Sequence, residues 1–436
     1  MRVQKFGGTS VGSPQRIKDV ASLITSFPGK NIIVLSAMSG TTNSLLEISG
    51  AIKNNDIDKA SQLSAKLYDK YLGVIEELYN TEERKKEVKG IVNEVFDAIN
   101  SSIREKYTDR IEKIIVSKGE LLSTNLMHQY LLENGEKAEL LPALEYMMID
   151  ENGDPDFNYI EEKLNLLLPK YDNDIIITQG FICRNPNGEV DNLLRGGSDY
   201  TASIIGAVVK ADEVDIWTDI DGMHNNDPRF VDDTSPVHKL HFEEAAELAY
   251  FGAKILHPTC ILPAKVNNIP VRLLNTLEPS AEGTLINNEL EHGSIKAVAA
   301  KDNITAIKIK SSRMLLAYGF LKNVFEVFEK YRTPIDMIAT SEVGVSLTID
   351  DDSHLQDIIK ELQELGTVTV DPDMVIICVV GDLEWQNKGF EARALDALRN
   401  IPVRMISYGG SNYNISFLID KNNKTKALRL LSYHLF

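Results

Sequence analysis

The apolar positions of the chain follow two rhythms. Up to about residue 275, short continuous apolar runs alternate with longer stretches in which apolar residues recur every three or four positions. Val3 to Phe6, NIIVLSAM, DIIITQGFI and VDIWTDID are the short runs, and they predict buried strands. IKDVASLI, TASIIGAVVKA and FEEAAELAYFGAKIL carry the helical spacing. This alternation predicts an α/β domain with a mainly parallel sheet and helices on both faces. Residues 43 to about 133 hold little strand signal and much amphipathic helix, such as EVKGIVNEVFDAI, so a helical insertion over one end of the sheet is expected.

The segment LEPSAEGTLINNELEHGS, 277–294, is rich in turn formers and marks a boundary. Beyond it ITAIKIK, GFLKNVFEVFEKYR, PIDMIAT, VGVSLTI, HLQDIIKELQEL and GTVTV read β-α-β-β-α-β. A similar order recurs as MVIICVVGDL, FEARALDALRN, PVRMISYG, NYNISFLI and NKTKALRLLSYHL. Two ferredoxin-like units fit this pattern, the second taking its missing strand from KAVAAK. The expected domains are therefore 1–293, 302–371, and 294–301 together with 372–436.

Composition narrows the class. A chain of 436 residues exceeds one ordinary domain, and 43% hydrophobic with 25% charged residues is a globular composition. With 46 basic and 64 acidic residues the net charge is −18, which argues against nucleic acid or an anionic membrane as partner. No apolar run reaches the roughly 18 residues of a membrane span, and no signal-peptide core follows the N-terminus. Cys183, Cys260 and Cys378 are scattered in apolar stretches and read as buried reduced thiols. A cytoplasmic protein is expected.

The candidate chemistry begins at MRVQKFGGTSVG. Ser13 and Pro14 read as an N-cap followed by proline at the first helical position, so the glycines sit between a strand end and a helix N-terminus. Such a turn either just connects the two elements or receives an anion, and Lys5 beside it favours a phosphate. Neither G-x-x-x-x-G-K-[ST] nor a G-x-G-x-x-G loop is present there, so this is no P-loop and no dinucleotide fingerprint. A second glycine pair, Gly196-Gly197, follows Arg195 and precedes another helix, with Ser198 or Asp199 placed as its cap. Asp219, Asp221 and Asp227 in WTDIDGMHNNDPR are either turn residues or part of a site. His238 and His241 in HKLH lack a supporting ligand cluster and read as solvated or capping residues.

Taken in order, KFGGTSVG, VLSAMSGTTN, SKGELLST, LLRGGSDYTA, IWTDIDGMHNNDPR and ELAYFGAKILHP resemble the signature segments of the aspartate kinases. The resemblance spans essentially the whole chain and implies the carbamate-kinase-like amino-acid kinase fold followed by two ACT domains. It implies the monofunctional enzyme, transferring the ATP γ-phosphoryl group to the side-chain carboxylate of L-aspartate, the first step toward lysine, threonine, methionine and diaminopimelate. Such a nucleophile is already ionised at neutral pH and needs no general base. Two anions 4 Å apart repel by about 4 kcal/mol at an effective dielectric near 20, so cations and oriented N–H groups must carry the catalysis.

The resemblance assigns Lys5 to the transferring phosphoryl group, with Gly7, Gly8, Thr9 and Ser10 around the phosphates. It assigns Arg195 to a substrate carboxylate and Glu120 to the substrate ammonium. Ser36, Thr42, Phe181, Gly196, Gly197 and Ser198 complete the substrate pocket. Thr218, Asp219, His224, Arg229, Lys254 and Ile255 line the nucleotide site, His224 standing where the family often has tyrosine. Mg²⁺ is expected on phosphate oxygens and water, with no protein ligand assigned.

The segment from Arg313 to Asp350 resembles the first ACT domain of lysine-sensitive members, which bind a free amino acid between ACT domains at a dimer interface. The matching positions are Met314, Gly319, Phe320, Leu321, Asp336, Ser341 and Glu342, while Leu316 and Ala317 replace polar residues common there. A homodimer or higher assembly with lysine as effector is implied; threonine or no effector stays open. A kinase for glutamate or N-acetylglutamate, and a non-catalytic amino-acid sensor, are the competing functions.

Overall fold

The computed structural model describes residues 1–436 apart from 194–195, 253–255, 312–313 and 315–317, and apart from the side chain of Pro258. The chain divides into two compact units, Met1–Gly222 with Leu256–Asn288, and Met223–Ile255 with Glu289–Phe436.

In the first unit six strands run parallel in the order Ala138–Leu140, Ile175–Gln179, Asn31–Leu35, Arg2–Phe6, Glu213–Thr218 and Val271–Asn275. Ile32 to Leu35, Ile176, Ile177 and Val214 are fully buried, as strands covered on both faces require. Arg2–Phe6 lies between its sequence neighbour and a strand from 200 residues further on, so the direction of winding reverses there. Loops at the carboxyl ends of strands flanking such a reversal open into a crevice, the usual ligand position in α/β sheets. The turn-rich segment 277–294, within which the first unit ends at Asn288, also contains a strand, Thr284–Asn287, antiparallel to Val271–Asn275. Its buried Thr284 and Ile286 alternate with half-buried neighbours, a signal too short to stand out among turn formers.

The helical insertion is present as five helices, Thr41–Lys53, Ile57–Leu78, Glu82–Ile103, Asp109–Val116 and Lys118–Glu133. Leu67, Tyr71, Ile75, Val88, Val92, Phe96 and Ile99 bury their inner faces, and the charged residues stay outside. Phe6 at the sheet's centre is fully buried and stacks on Trp217 at 5.8 Å and 7°. Burial of that one side chain contributes about 2–3 kcal/mol.

The second unit holds one six-stranded antiparallel sheet, in the order Ile338–Ser341, Gly344–Ile349, Ile295–Lys310, Thr367–Gly381, Asn414–Asp420 and Val403–Tyr408. Helices Phe320–Lys330 and Leu355–Leu365 pack on its first half, and Phe390–Ala397 and Lys424–Leu435 on its second. The expected strand pairs KAVAAK with ITAIKIK, and GTVTV with MVIICVVGDL, are not separate. Each pair is one long strand, bent where the register shifts near Asn303 (φ +60°) and Asp373 (φ +60°). Asn and Asp tolerate that conformation, so the polar pairs that read as strand ends are bulges within continuous strands. The three cysteines are buried, and among the described residues they form no disulfide. His241 caps helix Phe242–Tyr250, its Nδ1 accepting from Glu243 N–H at 3.2 Å while its own N–H donates to Glu244 at 2.8 Å. Among the described residues no helix is long and apolar enough to cross a membrane.

Candidate functional site

Four loops of the first unit meet at the carboxyl end of its sheet. The first follows Phe6. Gly7 N–H donates to Trp217 O at 3.2 Å and Ser10 Oγ to the same oxygen at 3.5 Å, tying the turn to the neighbouring strand. Ser39 N–H donates to Gly8 O at 3.0 Å, tying it to the loop after Asn31–Leu35. Ser13 caps helix Pro14–Ser26, accepting from Arg16 N–H at 3.3 Å, and Arg16 holds Thr9 O at 2.6 Å. Among the described residues the N–H groups of Gly8, Thr9 and Ser10 find no acceptor. Three consecutive free donors beside a helix N-terminus form an anion-receiving concavity. Gly8 has no alternative there, because a Cβ would stand 2.7 Å from Ala37 O.

Lys5 precedes this turn. Its Nζ lies 2.7 Å from Asp199 Oδ1, both side chains being mostly buried, and a Cβ on Gly7 would stand 3.5 Å from the same nitrogen. The ammonium therefore sits against the glycine turn, held by a carboxylate from the first turn of helix Gly197–Val209. Neither Ser198 nor Asp199 caps that helix. Gly196, at φ +77°, is the N-cap without a side-chain bond, and Asp199 turns to Lys5 instead. The sharp turn leaves no room at Gly196, where a Cβ would stand 2.4 Å from Cys260 Sγ.

Glu120 lies in the first turn of helix Lys118–Glu133 and is 4% exposed. Its Oε1 accepts from Ala37 N–H at 3.2 Å, and its Oε2 has no partner among the described residues. Burial pushes its carboxyl up to about 8, against the opposing pull of the Ala37 bond. The close approach needs Gly119, where a Cβ would stand 2.7 Å from Ala37 Cβ. Ser36 joins this cluster through its N–H, which donates to Phe6 O at 3.2 Å. Thr42 is half-buried in the first turn of helix Thr41–Lys53, after Gly40 at φ +79°. Phe181 follows strand Ile175–Gln179 and is half-buried. An anion cradle, a fixed cation and a buried carboxyl that meets no cation among the described residues thus share one end of one sheet.

The amino acid kinase family matches residues 1–275, and the ACT domain matches 377–435. The chain is 32% identical over 450 residues to the lysine-sensitive aspartokinase 3 of Escherichia coli (strain K12), covering 100% of this chain and 99% of that one. It belongs to the aspartokinase family. The crystal structure of E. coli aspartokinase III in complex with aspartate and ADP (R-state) superimposes with a TM-score of 0.84 at 31% identity, both chains covered completely. That of the same enzyme with lysine and aspartate (T-state) gives 0.81 at 32%, over 100% of this chain and 99% of that one. The amino-acid kinase domain with its mainly parallel sheet, followed by an ACT region, is the fold of the family as this chain builds it.

Arg195, Lys254 and Ile255, three of the residues singled out from the family pattern, lie outside the described residues. Thr218 ends its strand, its carbonyl accepting both the N–H and the Oγ1 of Thr276 at 2.8 Å. Asp219 follows, exposed. His224 and Arg229 belong to the second unit. His224 Nδ1 is 2.9 Å from Thr234 Oγ1, and the Arg229 guanidinium is engaged by Asp227 at 2.6–3.1 Å. Among the described residues no cluster of three or more His, Cys, Asp or Glu is arranged to hold a metal ion.

Among the expected effector residues, Met314 lies near the Ser341–Glu342 turn, since Ser311 N–H donates to Val343 O at 3.0 Å, and Asp336 stands apart from that turn. Gly319, at φ +84°, is the N-cap of helix Phe320–Lys330, and Leu321 is exposed in its first turn. Met314 N–H bonds to Ser311 O at 3.2 Å. Ser341 and Glu342 are exposed at a hairpin turn. Asp336 stands at that hairpin's other end, where its N–H donates to Thr348 O at 2.9 Å, roughly 16 Å away by strand rise. Its side chain is 1% exposed and already engaged: Lys301 Nζ is 2.5 Å and Tyr250 OH 2.7 Å from Oδ1.

Sequence reasoning did not find the Lys5–Asp199 pair, the Ala37 bond to Glu120, or Lys301 and Tyr250 around Asp336. Asp199 had a signal, standing in the same GGSD segment that marks the loop. The other three had none, because their partners are remote in sequence.

Proposed function

We propose that the protein is an aspartate kinase that uses ATP with Mg²⁺ and L-aspartate and yields 4-phospho-L-aspartate and ADP. The observation that carries this reading is Glu120: a buried carboxyl with one oxygen unpartnered among the described residues, in the same loop cluster as an anion cradle and a fixed ammonium. An acceptor with a free ammonium completes Glu120, and its carboxylates meet the cations and N–H groups. In N-acetylglutamate the amine is acylated and offers Glu120 no cation, which disfavours that acceptor.

The side-chain carboxylate oxygen attacks the γ-phosphorus in line. A new P–O bond forms, the bond to the β,γ-bridging oxygen breaks, and ADP leaves with the electron pair. Lys5, held by Asp199, neutralises the charge shared by attacking oxygen and transferring group. The N–H groups of Gly8, Thr9 and Ser10 orient the phosphates, and the family pattern gives Arg195 the substrate carboxylate. Ser36, Thr42, Phe181, Gly196, Gly197 and Ser198 border the acceptor, and Thr218, Asp219, His224, Arg229, Lys254 and Ile255 serve the nucleotide. The cradle of free N–H groups suits a metal-bound triphosphate, with Mg²⁺ carried on phosphate and water.

For the second unit we infer regulation by a free amino acid, as the lysine complex of the E. coli relative suggests. Met314, Gly319, Phe320, Leu321, Asp336, Ser341 and Glu342 are the candidate contacts. The separation of Asp336 from the Ser341–Glu342 turn along one hairpin fits a site completed by a second copy.

Trapping the acyl phosphate as its hydroxamate, with ATP and each of aspartate, glutamate and N-acetylglutamate, tests the reading. Product with aspartate alone is expected, and suppression by lysine or threonine would name the effector. Product with another acceptor and none with aspartate would replace the assignment.

A further inference from the structure

One residue bordering the proposed acceptor pocket is held in a conformation that its own side chain disfavours. Phe181 has φ +67°, and Ile182 N–H donates across it to Gly180 O at 2.7 Å. A bond spanning a single residue of positive φ makes a γ-turn of the rare, strained kind. Strain of this sort persists where surrounding contacts over-determine the geometry, and it gathers at functional sites.

The contacts that hold Phe181 are on both sides of it. Gly180 N–H donates to Leu35 O at 3.0 Å, and Phe181 O accepts from Leu193 N–H at 2.7 Å. Phe181 N–H donates to Thr201 Oγ1 at 3.0 Å. Thr201 is completely buried, and its hydroxyl donates in turn to Gly197 O at 2.8 Å. A threonine hydroxyl has one proton. Because that proton is committed to the helix, a lone pair is left directed at Phe181. The back-bond to Gly197 is open to any helical threonine; the second bond, to another loop, is what sets Thr201 apart.

The two loops so joined are also in close contact. A Cβ on Gly197 would stand 2.6 Å from Phe181 Cδ2, and one on Gly180 would stand 2.5 Å from Ser198 Oγ. The Phe181 ring therefore lies against the first turn of helix Gly197–Val209. That same turn presents the helix N-terminus and carries Asp199 to Lys5.

We propose that Thr201 is a positioning residue for the acceptor: its hydroxyl pins the Gly180–Phe181 turn to the N-terminus of helix Gly197–Val209 and so fixes one wall of the acceptor pocket. Thr201 touches no reacting atom. It acts through Phe181, whose backbone would otherwise relax to negative φ and carry the ring off the helix. The inference rests on the kinase reading, and it predicts an effect confined to acceptor binding.

The test compares the full-length protein with Thr201→Val, which keeps the shape and loses the hydroxyl, and with Thr201→Ser, which keeps the hydroxyl. Thr201→Val is expected to raise the aspartate KM about tenfold, with kcat and the ATP KM within about twofold of the parent. Thr201→Ser should restore the parent KM. A second arm uses Phe181→Gly, since glycine adopts positive φ without strain. In that background Thr201→Val should change the aspartate KM no further, the signature of two residues acting as one unit. Should Thr201→Val not accumulate as folded protein, Thr201→Ala enters the same cycle. An unchanged aspartate KM would overturn the proposal, and so would an equal rise in both backgrounds. A parent protein that forms no acyl phosphate from aspartate would overturn the kinase reading itself, with which this one falls.

Discussion

Glu120 and Asp336 are both buried carboxyls placed where an amino acid's ammonium is expected; each keeps one oxygen without a hydrogen-bond partner among the described residues, but they differ in charge balance. Glu120 accepts from Ala37 N–H and has an oxygen with no partner among the described residues. Burial holds it up to about 8, so near neutrality it is largely a neutral acid. Asp336 has a cation within the chain. Lys301 Nζ approaches its Oδ1 at 2.5 Å and Asp350 Oδ2 at 2.9 Å, and lies 4.3 Å from the centre of the Tyr250 ring. Burial alone would lower the Lys301 ammonium, but its bonds to Asp336 and Asp350 outweigh that and raise it. Burial, then the bond to Asp336, push the Tyr250 phenol up to about 12, keeping it a donor.

On the proposed assignments, the contrast separates a carboxyl with no recorded cation from one that Lys301 already balances. A ligand ammonium reaching Glu120 fills a vacancy in the local charge balance and converts the acid to a carboxylate. A ligand ammonium reaching Asp336 meets a carboxylate whose charge Lys301 already balances at Oδ1, although Oδ2 has no hydrogen-bond partner among the described residues, so its net gain is smaller than at a carboxyl without a cation.

The largest expected effect comes from emptying the filled site. Lys301→Met leaves Asp336 buried without its cation and should lower unfolding stability by about 3–5 kcal/mol in urea titration. Millimolar free lysine should recover part of that loss in the variant and little in the parent. Equal responses of both proteins would show that Lys301 does not occupy the effector's place.

Neutralising the waiting site gives the next largest change. Glu120→Gln should raise the aspartate KM roughly a hundredfold, since the ammonium loses a charge-assisted partner, while the ATP KM stays put. Stability should respond in the opposite sense. The folded Glu120 is raised above its unfolded value of 4.5 to about 8, so the folded protein binds more protons in that window. Its contribution to stability is fully present below about 4.5 and is lost as pH rises toward about 8, by at most about 1.4 kcal/mol per pH unit. Glu120→Gln should flatten that slope. A variant with the parent's slope would place the titration elsewhere.

Tyr250→Phe gives the smallest change. It removes one donor from Asp336 and leaves Lys301 in place, so a loss of about 1–1.5 kcal/mol is expected, with lysine binding by calorimetry strengthened little. A loss as large as that of Lys301→Met would mean that the phenol, and not the ammonium, balances the carboxylate.

The unequal legibility of these two sites has a physical cause. The glycine turn, Ser13 and Pro14 act within one strand–turn–helix unit, and local spacing was enough to place them. The helical insertion and the parallel strands were legible for the same reason. Asp199 was visible only as a potential cap, because nothing in GGSD says that Lys5 will stand across from it. The two long strands of the second unit were read as shorter ones, since Asn303 and Asp373 look like ends when they are bulges. Lys301, Asp336 and Tyr250 are joined across separations of 35 and 86 residues, and no local pattern marks them as partners.

On the proposed assignment, Glu120 waits as a protonated acid for the acceptor's ammonium. Calorimetric titration of L-aspartate into the full-length protein at pH 7, in two buffers of different ionisation enthalpy, tests it most directly. The account predicts release of about one proton per aspartate bound, and none from Glu120→Gln. Heats independent of the buffer in the parent protein would contradict it.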